Sequence, residues 1–339
     1  MQRTGTRPAT SRTGHSASPL LVWTALWAVY IVWGSTYLAI RVADRTLPPF
    51  LMAGARFVLA GALMYGWAAW RGDTRYQRPT ARNWVASTVV GGALLLGGNG
   101  GVVWAEQHID SGLTALIVAT VPLWMALLDR VFFGQRLSWA AVCGLALGFA
   151  GLALLVHGGS GKHASLAGVM AVVFASFSWA AGSLYSRRAP LHSKPFVATG
   201  MEMIAGGILL GVAGLVSGEA TRVHLAHVGV NPALSWGYLV VFGSLVGFTA
   251  YVWLLRVAPT SLVGTYAYVN PVIAVFLGWL LLHESIGWRT FAGGGVIVIG
   301  VLLIVTARRL PAAGEPATAE HPPEVAPEDE ARSLRTGTG

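Results

Sequence analysis

The sequence predicts an all-α polytopic membrane protein, with ten transmembrane helices arranged as two inverted five-helix repeats. The first observation is a shortage of charge. The 339 residues include 23 Lys and Arg and 14 Asp and Glu, whereas a soluble chain of this length would carry roughly 85 charged residues. The second is the apolar composition, with 54% hydrophobic residues and a mean hydropathy of +0.60. Together they exclude most soluble folds and also disordered, collagen-like and coiled-coil chains.

Ten apolar segments are each long enough to cross a bilayer, because a helix needs about 20 residues to span about 30 Å of hydrocarbon. The segments are apolar on all sides, whereas the strands of a membrane barrel alternate over about 10 residues. The predicted spans are Leu20–Val42, Pro48–Trp70, Asn83–Glu106, Ser111–Phe133, Leu137–His157, Ser165–Arg187, Pro195–Ser217, Ala233–Arg256, Ser261–His283 and Trp288–Ala307.

The basic residues predict the orientation of these spans. With a cytoplasmic N-terminus, 17 Lys and Arg lie in cytoplasmic segments, 5 lie outside, and Arg56 lies within a span. This asymmetry follows the positive-inside rule, so both termini are expected in the cytoplasm, with disordered tails at 1–19 and 307–339. The net charge of +9 is spread singly over short loops. We therefore expect contact with a lipid bilayer and no nucleic-acid partner.

The third observation is an internal repeat. Trp33 lies 146 residues before Trp179, and the stretch 104–151 aligns with 253–300 at an offset of 149 residues without a gap. Because each unit has five helices, the second enters the membrane from the opposite side, which makes the repeat inverted. Such repeats recur in secondary transporters, although a duplication could also be inherited without transport. The predicted units are residues 20–157 and 165–306.

Several motifs resemble the EamA family of the drug/metabolite transporter superfamily. They are Trp33-Gly34-Ser35-Thr36-Tyr37 in the first span, Arg56 in the second, Pro122 in the fourth, Pro271 in the ninth and His283-Glu284 after it. The resemblance covers residues 20–306. It implies a bacterial-type inner-membrane permease, usually an exporter of small metabolites, amino acids or drugs driven by a proton or substrate gradient. It also implies structural or gating roles for Pro122, Pro271 and Glu284.

One departure from the family pattern concerns the acidic residue after the fourth span. That position is Gln135 here, while its repeat equivalent, Glu284, is kept. If the carboxylate matters for gating or helix capping, only Glu284 can supply it.

Arg56 and Glu202 are the predicted substrate and coupling residues, because charge inside the membrane is costly and typically functional. Arg56 could bind a carboxylate of the substrate or of the coupling group, or it could snorkel or clamp backbone carbonyls. Glu202 occupies the repeat position of Arg56 and could carry a proton, or it could stay neutral and hydrogen-bonded. Each lies seven residues after a proline, and the two are expected at different depths.

Aromatic and amide side chains at helical spacing are predicted to line the substrate path, because broad, flat side chains suit planar ligands and cations. Packing in the core or anchoring at the membrane interface is the alternative for each. The residues are Trp33, Tyr37, Asn99, Trp104, Tyr251, Tyr266 and Asn270.

The remaining patterns predict neither a cofactor nor a metal. Cys143 is the single cysteine, and no histidine has ligand spacing. Glycines of the fifth and tenth spans predict close helix packing within the chain, although either face could support a homodimer. A secondary transporter of small molecules is thus expected. A membrane enzyme is less favoured because catalytic motifs are lacking, and a passive channel because isolated charges do not form a selectivity ring.

Overall fold

Proline and hydroxyl residues mark where the helices begin in the computed structural model. Prolines open the first, second and seventh helices, where the missing N–H carries no penalty. Thr80 caps the third helix in a capping box with Asn83, and the Ser165 side chain accepts from the Gly168 amide at 3.0 Å. The structure describes residues 18–75, 77–134, 138–157, 165–224, 228–258, 260–263, 265–284 and 287–307. Gln135 and, apart from residues 18, 19 and 307, both predicted tails lie outside these ranges.

The described residues form long helices joined by short loops. The helices are α1 (Pro19–Ala43), α2 (Pro49–Trp70), α3 (Ala81–Ala105), α4 (Ser111–Phe133), α5 (Trp139–His157), α6 (Leu166–Ser186), α7 (Pro195–Val216), α8 (the consecutive segments Val230–Tyr238, Leu239–Val246 and Gly247–Val257), α9 (Tyr266–Leu282) and α10 (Trp288–Ala307). A 3₁₀ turn, Glu219–Arg222, follows α7, and a helical turn, Thr260–Val263, precedes α9. Within these ranges, seven helices are long and apolar enough to cross a membrane, and α5, α9 and α10 contain shorter apolar helices.

This arrangement is that of a multi-pass α-helical membrane protein. Large apolar side chains cover its outside, among them Trp27, Phe174, Phe276 and Phe291, each more than half exposed. Such a surface is suited to lipid rather than to water. The count of ten crossings and the inverted relation of the two halves stay predictions.

Several helices depart from regular α-helix close to the centre of the bundle. The segments Gly92–Gly100 of α3 and Leu239–Val246 of α8 are π-helical. Helix α4 is interrupted between Val118 and Val121, directly before Pro122, and Pro271 lies inside α9. The predicted ninth span is also divided, because its first residues form the separate turn before α9. Irregular backbone at membrane depth is tolerated where it lines a cavity or is buried in protein.

Glycines allow two pairs of helices to approach closely. Where α2 meets α7, a Cβ added to Gly61 would lie 2.8 Å from the Gly200 carbonyl oxygen. Where α5 meets α10, a Cβ on Gly144 would lie 2.6 Å from the Gly300 oxygen, and one on Gly151 would lie 2.8 Å from that of Gly293. The predicted glycine faces therefore contact each other within the chain.

Candidate functional site

A cavity of about 120 Å³ lies between the helices. Residues of α1, α2, α3, α4, α6, α8 and α9 line it, and both π-helical segments contribute. Most of the residues predicted to carry function line this cavity: Trp33, Tyr37, Arg56, Asn99, Tyr266, Asn270 and Pro271. Residues from both predicted repeats thus converge on one site.

Arg56 is the charged residue among those lining the cavity, and it is only 3% exposed. Its Nε donates to Ser244 Oγ at 2.9 Å, and its guanidinium lies 4.6 Å from the ring centre of Phe57. Its Nη1 is buried, and none of the described residues forms a hydrogen bond with it. The salt bridge found among the described residues, between Lys194 and Asp73, lies elsewhere. The positive charge of Arg56 is therefore buried without a carboxylate partner in the described part of the protein, which is costly unless a ligand supplies one.

Two amide groups in the cavity are also incompletely paired. Asn99 Oδ1 and Asn270 Oδ1 are both buried, and neither has a hydrogen-bond partner within the described ranges. Asn270 lies directly before Pro271, and Asn99 lies in the π-helical segment of α3. A buried acceptor without a donor costs about 1–3 kcal/mol. The cavity thus offers one unused cationic donor and two unused neutral acceptors.

Aromatic rings form one wall of the site. The Trp33 ring centre lies 5.4 Å from that of Phe248, 5.1 Å from that of Tyr251 and 5.3 Å from that of Tyr266. Trp33 Nε1 donates to the Gly243 carbonyl oxygen at 3.2 Å, which fixes the indole orientation. Tyr251 is not among the lining residues but packs against two rings that are. It supports the wall from behind.

Several other predicted residues lie away from the cavity. Trp104 stacks on His108 with ring centres 4.2 Å apart, near the end of α3. Glu202 lies where α7 meets α3, and its main-chain oxygen closely contacts Gly91. Pro122 begins the second part of α4, next to the lining residue Val121. The structure does not bring Arg56 and Glu202 together as an ion pair.

Glu284 binds the first turn of α4. Its carboxylate accepts from the Ser111 amide at 3.0 Å, the Ser111 hydroxyl at 2.7 Å and the Gly112 amide at 3.0 Å. Glu219 does the same at α2, accepting from the Leu51 amide at 2.9 Å and the Phe50 amide at 3.3 Å. A carboxylate is favourable at a helix N-terminus because it meets unpaired N–H groups and the positive end of the dipole.

Sequence reasoning missed two further carboxylates, Asp44 and Glu106, which lie at the same end of the bundle as Glu219 and Glu284. They follow α1 and α3 directly, and all four of their carboxylate oxygens are buried without a hydrogen-bond partner among the described residues. Burial raises the pKa of both well above the ordinary values, and the charge of Asp44 raises the pKa of Glu106 further. The available signal was spacing, because each lies seven residues after a residue predicted to line the path, Tyr37 or Asn99.

Apolar helices around a small cavity, lined by apolar side chains and a few polar ones, define the class: a multi-pass membrane protein with a cavity inside its helix bundle. The EamA-like transporter family model matches residues 21–157 and again residues 166–306. The chain belongs to the EamA-like transporter family, and the resemblance seen in its sequence motifs is confirmed.

Relatives of known name agree with this membership. The chain is 38% identical over 289 residues to the "Uncharacterized inner membrane transporter YedA" of Escherichia coli, covering 84% of this chain and 91% of the relative. It is 28% identical to the "Probable amino-acid metabolite efflux pump" of the same organism, covering 82% and 92%. It is also 28% identical to the "Probable terminal-alkyne amino-acid exporter" of Streptantibioticus cattleyicolor, covering 83% and 93%. These similarities support a multi-pass protein of the inner membrane.

A solved structure described as "Crystal structure of protein" shares the fold. Its TM-score is 0.58 at 21% identity, and the similarity covers 86% of this chain and 99% of that one. At this identity the likeness concerns the fold alone.

Proposed function

We propose that this protein is a secondary exporter of amino acids and closely related zwitterions. The observation that carries the proposal is the unpaired Nη1 of Arg56 in a cavity that also contains the unpaired oxygens of Asn99 and Asn270. A substrate with a carboxylate and an ammonium group pairs with both kinds of group at once.

The carboxylate is proposed to bind Arg56. Arginine presents N–H donors in a planar fork that fits a carboxylate. Because Nε is already bonded to Ser244, the ligand is proposed to use the Nη side of the guanidinium, where Nη1 has no partner among the described residues. Since no Asp or Glu is among the described residues that line the cavity, this lining has a net positive charge before the substrate binds.

The ammonium group is proposed to bind Asn99 and Asn270 through their side-chain oxygens. The rings of Trp33, Tyr37 and Tyr266, which also line the cavity, can attract a cation by about 0.5–2 kcal/mol. The apolar remainder of the lining, including Ile40 and Val118, suits an apolar side chain. The names of two relatives, which refer to amino acids, support the same substrate class.

Movement across the membrane is proposed to occur by alternating access between the two repeats. The helix pairs that pack most closely, α2 with α7 and α5 with α10, are equivalents under the proposed repeat. The contact of α1 with α9 likewise corresponds to that of α6 with α4. Exchange of such equivalent contacts would open the cavity first to one side and then to the other. With both termini in the cytoplasm, α1 and α3 would end at the outer face.

Export of the substrate is proposed to be coupled to protons or to a counter-substrate. Glu202 is one carboxylate that could carry the proton. Glu202 lies on α7 outside the cavity lining, so its role would be exerted through helix movement. Transport by Glu202→Gln that keeps exchange but loses proton dependence would support this role. Full proton-coupled activity of the variant would exclude it.

The substrate class is tested with three ligands of one shape. We expect leucine to raise the melting temperature of the purified protein, because a ligand of the folded state stabilises it. Leucine methyl ester, which lacks the carboxylate charge, and 4-methylpentanoate, which lacks the ammonium group, should stabilise less. Equal stabilisation by the ester would contradict binding through Arg56.

Transport itself is tested in vesicles containing only this protein. Concentrative movement of labelled leucine that a protonophore abolishes supports a proton-coupled transporter. Movement that only equilibrates leucine would favour a passive channel, and conversion of leucine into another compound would favour an enzyme.

A further inference from the structure

We propose that Asp44 and Glu106 form a proton-binding site that controls opening of the cavity at the end of the bundle where α1 and α3 finish. The two residues are called the acid pair below. The inference rests on the proposed function in that it assigns a control site to the transporter. It concerns a different site from Arg56 and needs no knowledge of the substrate.

The acid pair lies on the continuation of two helix faces that line the cavity. Tyr37 and Asn99 line the cavity, and Asp44 and Glu106 follow them by seven residues on α1 and α3. Seven residues are about two turns, or about 10 Å along a helix. Ile40 and Val102, one turn along each helix, also line the cavity. The acid pair therefore closes the same end of the cavity from two sides.

Both carboxylates of the pair are buried and lack hydrogen-bond donors in the described part of the chain. Glu106 is fully buried, and no described residue bonds to its two oxygens or to either oxygen of Asp44. Asp44 acts electrostatically on Glu106, and Glu106 also acts on Tyr37 in the cavity. Two desolvated carboxylates that interact in this way cannot both remain ionised without a large cost.

The charged groups around the pair do not remove this cost. Arg41 on α1 acts on both acids, but its Nη1 donates to the Ile109 carbonyl oxygen at 3.4 Å. Glu219, following α7, adds negative charge near Asp44, and Glu284, following α9, adds it near Glu106.

Other titratable groups of the same region are already engaged. His108 Nδ1 lies 2.9 Å from the Trp104 carbonyl oxygen, and Asp110 precedes α4 and has a partner of its own. Arg45, the next basic residue, lies in the loop after α1 and is exposed. Among the described residues, Arg41 thus acts on both acids of the pair, whereas Glu219 and Glu284, which cap helices, add negative charge beside it.

A proton neutralises one member of the pair and lets the buried arrangement persist. When the proton leaves to water, two negative charges face each other in an apolar site, and hydration of the pair requires this end to open. The Glu219 and Glu284 caps link the same end to the starts of α2 and α4. Separation of α1 from α3 here would expose Tyr37 and the cavity behind it.

The test measures access to the cavity as a function of pH. A cysteine replaces Thr36, which lines the cavity, in full-length protein carrying Cys143→Ala, and its reaction rate with a membrane-impermeant thiol reagent is recorded. Dividing each rate by that of the same protein carrying Glu106→Gln removes the pH dependence of the thiol. We expect this ratio to rise about tenfold per pH unit below the pKa of the pair.

Matched variants decide between the acid pair and other carboxylates. Asp44→Asn should remove the pH dependence of cavity access, as Glu106→Gln does. It replaces Glu106→Gln as the reference protein if Glu106→Gln does not fold. Asp73→Asn, which removes an acid paired with Lys194 away from the pair, should leave the dependence intact. A ratio independent of pH, or a dependence removed by Glu202→Gln instead, would overturn the proposal. A dependence that follows sodium rather than protons would overturn it as well.

If leucine fails to bind while the pH-dependent access persists, the substrate proposal fails and the acid pair stands. If leucine binds through Arg56 but access to the cavity does not depend on pH, the substrate proposal stands and the acid-pair proposal fails.

Discussion

Replacement of Arg56 by methionine should weaken substrate binding strongly without destabilising the fold. The variant loses the hydrogen bond to Ser244 at 2.9 Å, worth about 1.5–3 kcal/mol, and the interaction with Phe57, worth about 0.5–2 kcal/mol. It also removes a buried charge that lacks a carboxylate partner among the described residues, and burial of such a charge costs several kcal/mol. The free energy gained by removing the buried charge offsets the free energy lost with the two contacts. The melting temperature of the variant should therefore equal or exceed that of wild type.

Substrate binding by Arg56→Met should weaken, although its melting temperature does not fall. Loss of a charge-assisted bond to a carboxylate, about 1.5–3 kcal/mol, weakens binding roughly 10- to 150-fold. The assay is thermal unfolding of both proteins in detergent, with and without leucine. Arg71→Met at the end of the same helix, where the exposed guanidinium lies 4.8 Å from the Trp67 ring, is the matched control. A melting temperature lowered by several degrees, with leucine binding retained, would refute the reasoning and indicate a structural role for Arg56.

Three further predictions concern the helix contacts and the acidic end of the bundle. Gly144→Ala should cost about 1–3 kcal/mol of stability, because its Cβ would lie 2.6 Å from a carbonyl oxygen. Gly295→Ala, which meets no atom within 4 Å, should be neutral or stabilising by up to about 1 kcal/mol; equal effects in thermal unfolding would contradict the packing. Glu284→Ala should cost about 2 kcal/mol by removing three hydrogen bonds at the start of α4, and an unchanged melting temperature would contradict the cap. Burial raises the folded-state pKa of Asp44 and Glu106, so the folded state binds protons more tightly than the unfolded chain. Stability should therefore fall as the pH rises from about 4 through the folded-state pKa of the pair, by about 1.4 kcal/mol per unit of pKa shift, and Glu106→Gln should lessen the fall.

The fold could be predicted from sequence because a bilayer restricts the alternatives. Apolar segments of about 20 residues must form helices that satisfy their own backbone hydrogen bonds. Prolines and hydroxyl residues marked helix starts, as at Pro49 and Thr80. The break in α4 before Pro122 could not be located, because it interrupts a largely apolar sequence.

The cavity residues could be predicted in part, since polar and aromatic side chains in an apolar span stand out. Trp33, Arg56 and Asn270 were found in this way and line the cavity. Ser244 was not, because a serine next to glycine in a membrane helix is ordinary and its role depends on a contact across 188 residues. Asp44 and Glu106 were missed because acidic residues at helix ends usually face water, and only packing shows that they do not.

The most direct measurement of the central claim is counterflow of labelled leucine in vesicles that contain the wild-type protein or Arg56→Met. The wild type should accumulate label against preloaded leucine, and preloaded leucine methyl ester should not replace it. The Arg56→Met protein, equally folded and incorporated, should accumulate none. Accumulation by Arg56→Met equal to that of wild type would contradict recognition of the substrate through Arg56.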